Sequence, residues 1–444
     1  MYAMPVALCR ALVLAGLSLL ATYPVMAADS DTRGMLARAA RQIVGVGQGV
    51  YVEAADGRVL LAQAAAQPVH PASVSKVPTT LALLRMLGPD YRFVTTFTLS
   101  GHLTDHRLDG QLLVQAGANP DPALVDEDAL LVAQRLNGLG IDSIRGPLLV
   151  RGALIFDWQN DPQGMRLAHA LSGQTPEAAW RALLALQSGA TAPGITAPPS
   201  VHWLPAAATV AGANDAAGGA TGGTDSASSS ARSASAVPVL AIPSIDDVLT
   251  VRSEPLLPLL KSLDDYSNNI VAPLAQAAGG AAAVQRLARA SVPAAMRGEI
   301  ILGDGAGIDS RNRLSPRAAV KLLRALEQQL ATNGHTLPDV LPVSGIDAGT
   351  LHARLNGRNA AGRVVGKTGT YGDYGASALI GAIRTRDQGE VYFAILNHGV
   401  PVPEARRRQD AFVRVLLAHL HSVPWAHVAD SEPAIARVQL TSAP

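Results

Sequence analysis

Three short stretches of this 444-residue chain carry side chains that could cooperate in one reaction: Ser73-Val74-Ser75-Lys76, Tyr266-Ser267-Asn268-Asn269 and Lys367-Thr368-Gly369-Thr370. A serine hydroxyl is a weak nucleophile at its own pKa and needs a base. On a helix, positions three apart share a face, so the Lys76 amine can approach the Ser73 hydroxyl. Burial lowers the pKa of lysine readily while arginine stays charged, so a desolvated Lys76 can take the serine proton. Ser267 can relay a proton and Asn269 can hydrogen-bond a substrate amide, both from one small turn. Lys367 follows the strand-like Arg363-Val364-Val365, where a strand edge can offer backbone groups to an extended peptide. Gly369 permits close approach there, and Lys367 with the threonine hydroxyls can hold a carboxylate.

Each motif is modest alone. Ser310-Arg311-Asn312 repeats the Ser-x-Asn spacing, and polar residues between helices are usually caps. Composition sharpens the reading. Of 36 basic residues only four are lysines (Lys76, Lys261, Lys321, Lys367), and two of those four fall in the motifs. The run Gly362 to Thr368 nearly fits a phosphate loop but is one residue short, and Gly, Thr and Tyr follow where a helix would be needed. The eleven histidines are scattered without His-Glu-x-x-His, so neither a metal nor another cofactor is expected. A formal charge of +1 without a long basic run argues against nucleic acid as a partner. One cysteine excludes a disulfide framework.

The elements that must position these residues can be read from pattern. Arg10, an apolar run from Ala11 to Ala21 and small residues before a cut after Ala27 make residues 1–27 a signal peptide. The mature chain then balances 35 bases against 35 acids, has no cysteine and no stable membrane span, and is expected in the periplasm or otherwise secreted. A helix is expected over Thr32 to Gln42. Next comes a hairpin turning at Asp56-Gly57, then a helix from Ser73 to Leu87. β-Rich segments at Phe93–Leu99, Leu112–Gln115 and Pro147–Val150 follow, with a helix over Glu127–Leu136. Residues 206–236 collapse to Ala, Gly, Ser, Thr and Asp, a composition too poor in large apolar side chains to offset ordering entropy. Beyond them, helices are expected around Asp247–Leu263 and Ser315–Leu330, then strands at Arg363–Val365, Ala378–Arg384 and Val391–Leu396, and a closing helix over Pro403–His421. The fold class is α+β: a mainly antiparallel sheet built from both chain ends and covered by helices, with an inserted β-rich domain. The expected division is 28–86 and 244–428 for the sheet domain, 87–243 for the insertion and 429–444 for a loose tail.

In that order, Ser73-x-x-Lys76, Ser267-x-Asn269 and Lys367-Thr368-Gly369 resemble the signatures of the penicillin-recognising serine acyltransferases, the D,D-peptidases and serine β-lactamases. Within that group the chain most resembles the class C low-molecular-mass D-Ala-D-Ala carboxypeptidases/endopeptidases, peptidase family S13. Pro71-Ala72-Ser73, Gly117-Ala118-Asn119-Pro120, Asp304-Gly305-Ala306-Gly307 with Asn312 to Pro316, and Leu341-Pro342-Val343-Ser344-Gly345 resemble further segments of that family. The 190 residues from Val77 to Tyr266 exceed what serine β-lactamases place between these motifs.

The resemblance implies a β-lactamase/transpeptidase-like fold and a serine-type D-Ala-D-Ala carboxypeptidase acting on peptidoglycan stem peptides, with β-lactams as covalent inhibitors. It implies Ser73 as nucleophile, Lys76 as base and Ser267 as proton relay. Asn269, Lys367, Thr368, Gly369 and Thr370 would bind substrate, and the N–H groups of Ser73 and Thr370 would form the oxyanion hole. Two other readings use the same residues. One is a β-lactamase or related esterase, in which Tyr266 could serve as base in a Tyr-x-Asn register. The other is a catalytically weak wall-binding protein.

Overall fold

The computed structural model describes residues 31–117, 124–187, 197–204, 244–372, 375–429 and 439–442. The expected signal peptide, Ala118-Asn119-Pro120 and the low-complexity run 206–236 lie outside these.

The main sheet joins both halves of the chain. Its order is Val364–Tyr371, Ala376–Thr385, Glu390–His398, Gly49–Ala54 and Val59–Gln63, all antiparallel, with Ser422–Val423 added beside Ala376–Thr385. The expected Asp56-Gly57 turn connects the two N-terminal strands, with Gly57 at φ +87°. These strands read as continuous apolar runs because helices bury both faces. Period-two alternation distributes their side chains. Val50, Val52, Phe393 and Ile395 enter one core with Leu36, Phe412 and Leu416. Tyr51, Ala394, Ile380 and Ala382 enter the other with Leu81, Leu322 and Leu326. Helical residues 31–44 and helix Val402–His419 therefore cover one face, while Lys76–Leu87 and Pro316–Ala331 cover the opposite face.

Helix Pro316–Ala331 starts where the sequence says it should. Ser315 Oγ accepts the Ala318 N–H at 3.2 Å, and proline stands at the first helical position. The helix also neutralises a carboxylate in the sheet. Glu53, 0% exposed, is held by Lys321 Nζ at 2.6 Å, by Arg324 and by the Tyr51 hydroxyl at 2.7 Å.

A second sheet holds Arg92–Thr104, Arg107–Ala116 and Ser244–Pro255, extended by short parallel strands at Ser143–Arg145, Leu148–Arg151 and His202–Leu204. It forms a separate core around Phe97, Leu112 and Leu249, packed by helix Asp126–Gly138.

Here three expectations change. The helix placed over Asp247–Leu263 is a strand to Pro255 followed by helix Leu256–Asp265, because Leu249 and Val251 alternate inward while Leu256, Leu259, Leu260 and Leu263 repeat at helical spacing. The second sheet consequently runs past the expected boundary at 243, since residues 244–255 pair with Arg92–Thr104. The tail is not wholly loose either: Gln439–Ser442 pairs antiparallel with Leu249–Arg252, covering a sheet edge that would otherwise present bare N–H and C=O groups.

Candidate active site

The nucleophile segment is bent before it becomes a helix. Ala72–Ser75 is a turn of 3-10 helix that runs into the α-helix at Lys76, rather than one helix from Ser73. In a 3-10 turn positions i and i+3 eclipse, which brings the two side chains together. Lys76 Nζ is 2.8 Å from Ser73 Oγ. From Pro71 to Leu84, Ser73 is the one residue that is not buried. Ala72 takes φ +49°, a strained value for a residue with a Cβ.

Lys76 is 0% exposed and has two more partners, Asn269 Oδ1 at 3.1 Å and Ala306 O at 2.9 Å. Burial pulls its pKa down to about 7, and the nearby charge of Lys367 adds to the effect. Ala306 is delivered by the turn that Asp304 organises. The Asp304 carboxylate accepts the Gly307 and Ile308 N–H groups at 2.9 and 2.8 Å and the Asn312 amide at 2.7 Å.

Ser267 and Asn269 follow helix Leu256–Asp265. Ser267 sits at φ +57°, which aims its hydroxyl at Lys367 Nζ, 2.9 Å away. The turn is clamped from below: Lys261 Nζ is 2.9 Å from Asp265 and 2.5 Å from Asp347, and the Thr350 N–H donates to Asp265 O. Lys367 is 0% exposed, its pKa lowered by burial to about 8. Beside both lysines lies Asp264, fully buried, with its carboxyl pushed up by burial and its Oδ2 accepting the Thr80 hydroxyl at 2.9 Å.

Strand Val364–Tyr371 is the edge of the main sheet. Its lower half is covered by Leu341–Gly345: the Gly366 N–H donates to Pro342 O and the Ser344 N–H to Val364 O. The same alternation turns the Thr368 and Thr370 N–H groups to that outer edge, beyond the covering segment. Two glycines open the space before Ser73. A Cβ at Gly369 would stand 3.0 Å from Ser73 N, and one at Gly307 would stand 2.0 Å from Ala72 O. Such spaces exist because those positions carry no side chain.

All eight residues singled out from the sequence thus converge on one region: Ser73, Lys76, Ser267, Asn269, Lys367, Thr368, Gly369 and Thr370. A cleft of about 470 Å³ is lined by six of them, while the two lysines, 0% exposed, reach it only through their bonds to Ser73 and Ser267. Tyr266 is 64% exposed and is not part of the cleft wall, so the Tyr-x-Asn register has no geometric support. Sequence reasoning missed Arg354, Arg406 and Thr350, which wall the far end. Arg406 lies in a run of three arginines, Arg406-Arg407-Arg408, and nothing local distinguishes the one that faces the cleft.

The model of the D-Ala-D-Ala carboxypeptidase 3 (S13) family matches residues 36–183 and 236–419. A D-alanyl-D-alanine carboxypeptidase of Actinomadura sp. (strain R39) is 26% identical over an alignment of 449 residues, covering 84% of this chain and 82% of the relative. Among solved structures, a penicillin G-acylated predatory endopeptidase of Bdellovibrio bacteriovorus, in complex with an immunity protein, shares the fold with a TM-score of 0.67 at 19% identity. That match covers 88% of this chain and 99% of the other. Penicillin-binding protein 4 of Haemophilus influenzae shares it with a TM-score of 0.53 at 16% identity, covering 86% and 98%.

Proposed function

Because the chain belongs to the D-Ala-D-Ala carboxypeptidase 3 (S13) family, and is on that account a serine-type carboxypeptidase, we propose that it cleaves peptidoglycan stem peptides through an acyl-enzyme on Ser73. The observation that carries this reading is the 2.8 Å approach of buried Lys76 Nζ to Ser73 Oγ. A neutral amine has two N–H donors and one lone pair. Lys76 has two fixed acceptors, Asn269 Oδ1 and Ala306 O, and one hydroxyl, so the lone pair falls to Ser73.

Ser73 attacks the carbonyl of the penultimate D-alanine as Lys76 takes its proton. The oxyanion is received by the N–H groups of Ser73 and Thr370, in the space that Gly307 and Gly369 leave open. Ser267, accepting from Lys367, relays the proton that Lys76 took from Ser73 to the leaving nitrogen, so that Ser267 is a hydroxyl and Lys76 a neutral amine again when water enters. Asn269, with Oδ1 engaged by Lys76, offers its NH2 to the substrate backbone. Thr368 and Thr370 bind the terminal carboxylate, attracted by the Lys367 charge. Water then releases the acyl group, whereas penicillins acylate Ser73 and stay.

We place this activity in the periplasm or otherwise outside the cytoplasm, where a wall substrate lies. Among the described residues no helix is long and apolar enough to cross a membrane. We also propose 28–86 with about 256–428 as the catalytic unit, and the intervening residues as its β-rich insertion.

The test is labelling by a fluorescent penicillin together with release of D-alanine from a pentapeptide. Wild type is expected to give both and Ser73→Ala neither. Undiminished labelling of Ser73→Ala would sink the assignment.

A further inference from the structure

Two places before the strained Ala72 stands a histidine that touches three walls of the cleft at once. His70 Nδ1 lies 3.2 Å from the Ala72 amide nitrogen, and its Nε2 lies 3.0 Å from Asp309 O. The ring stacks on Tyr371, the last residue of the edge strand, with centroids 4.0 Å apart and planes inclined by 28°. One imidazole thus joins the nucleophile segment, the turn that carries Gly307 and Ile308, and the end of the edge strand. The reaction proposed above makes no use of it.

These contacts fix the tautomer. A backbone N–H can only donate, so Nδ1 must present its lone pair to Ala72. A carbonyl can only accept, so the proton sits on Nε2 and is given to Asp309 O. The neutral ring satisfies both. The imidazolium cannot, because a proton on Nδ1 would point at the Ala72 N–H. What that contact holds is Ala72 itself, fully buried at φ +49°, a conformation that persists only where its surroundings enforce it. Gly307 lies against the following peptide, where a Cβ would stand 2.0 Å from Ala72 O and 2.9 Å from Ser73 N. That peptide carries the Ser73 N–H, so a rotation at Ala72 turns the oxyanion donor with it.

We infer that His70 is a positioning residue for acylation: its Nδ1 lone pair holds Ala72, and with it the Ser73 N–H, and a proton on Nδ1 lets both go. This rests on the reading of Ser73 as nucleophile. The surroundings of the ring favour its working, neutral form. Burial pulls the His70 pKa below the ordinary histidine value, opposed by the bond to Asp309 O. Among the charged groups facing it, Arg313 lowers the value, while the carboxylates of Asp304 and Asp309 raise it. Asp309 is in turn bonded by Arg311 Nε at 2.9 Å, and the edge strand contributes the Tyr371 ring. In acid the site is therefore blocked by two protons, one on Lys76 and a second on His70.

The experiment follows acylation of Ser73 by a fluorescent penicillin from pH 4.5 to 8, with tryptophan fluorescence reporting the fold at each pH. Wild type should lose about tenfold per unit below the Lys76 pKa, steepening toward about a hundredfold per unit as His70 takes its proton. His70→Phe keeps a ring for Tyr371 but no acceptor for Ala72. Losing an oxyanion donor outright costs about 10² to 10³ in rate, so this variant should be acylated at least tenfold more slowly at pH 8. His70→Asn places Oδ1 where Nδ1 stood and does not titrate. It should recover most of the rate lost in His70→Phe and keep the tenfold slope down to pH 4.5. A folded His70→Phe acylated at the wild-type rate overturns the proposal. So does a wild type that never steepens, or a His70→Asn that steepens as wild type does. If folded wild type takes up no penicillin at pH 8, the reading of Ser73 has itself failed and the role of His70 falls with it.

Discussion

Lys367 Nζ donates to Ser267 Oγ at 2.9 Å, across 100 residues of sequence. The edge strand thereby places a cation against a serine whose backbone is held at φ +57°. With its acceptor site used, the hydroxyl can give up its proton elsewhere. Ser267→Ala should lower D-alanine release by about 10² to 10⁴, the usual contribution of a positioned proton donor. Steady-state rates on a pentapeptide would measure it, and a loss under threefold would remove Ser267 from the relay.

The activity should depend on pH as a narrow bell. Lys76 must be neutral to accept a proton, and burial sets its pKa to about 7, so kcat/KM should fall about tenfold per unit below that value. Lys367 must stay charged to attract the carboxylate, and its pKa of about 8 sets the fall at higher pH. The two lysines interact, so the limbs belong to the pair. Lys76→Arg, which cannot deprotonate, should be inactive throughout. A flat profile from pH 6 to 9 would contradict a lysine base.

Gly307→Ala should damage the site. The new Cβ would meet Ala72 O at 2.0 Å, at a φ of +90° that L-residues resist. Penicillin acylation is expected to slow more than tenfold. Gly357→Ala, where a Cβ meets nothing within 4 Å, serves as the control and should leave the rate intact.

Glu53 should matter for stability, not catalysis. Burial pushes its carboxyl up, but hydrogen bonds from Lys321, Tyr51 and Arg324 outweigh that and leave it below the ordinary carboxylate range. Stability from this group is therefore present above the ordinary pKa and is lost as pH falls through the lower folded value. Glu53→Ala leaves the half-buried Lys321 and Arg324 without their carboxylate and should cost about 1–3 kcal/mol in urea unfolding. A change below 1 kcal/mol would show that Lys321 and Arg324 find water instead.

Much of the site was legible in the chain because its parts are local. A serine and a lysine three apart meet in any helical turn. Lys-Thr-Gly-Thr after an apolar run announces an edge strand. None of the four lysines is ordinary surface charge: Lys76 and Lys367 are fully buried, bonded to Ser73 and Ser267, while Lys261 and Lys321 each hold a buried or nearly buried carboxylate. Strand patterning likewise predicted a sheet assembled from both chain ends.

What only the tertiary structure decided depends on long-range pairing. Residues 244–255 are as compatible with helix as with strand until Arg92–Thr104 supplies a ladder for them. Asp264 becomes an acid beside two lysines only after burial removes water from all three. Arg406 becomes a cleft residue only because Val402–His419 packs on the sheet with that side toward Thr370. The sequence determined which groups could react. Packing determined their protonation, their spacing and the arginine that joins them at the cleft, because desolvation and approach are properties of neighbours brought together by the fold.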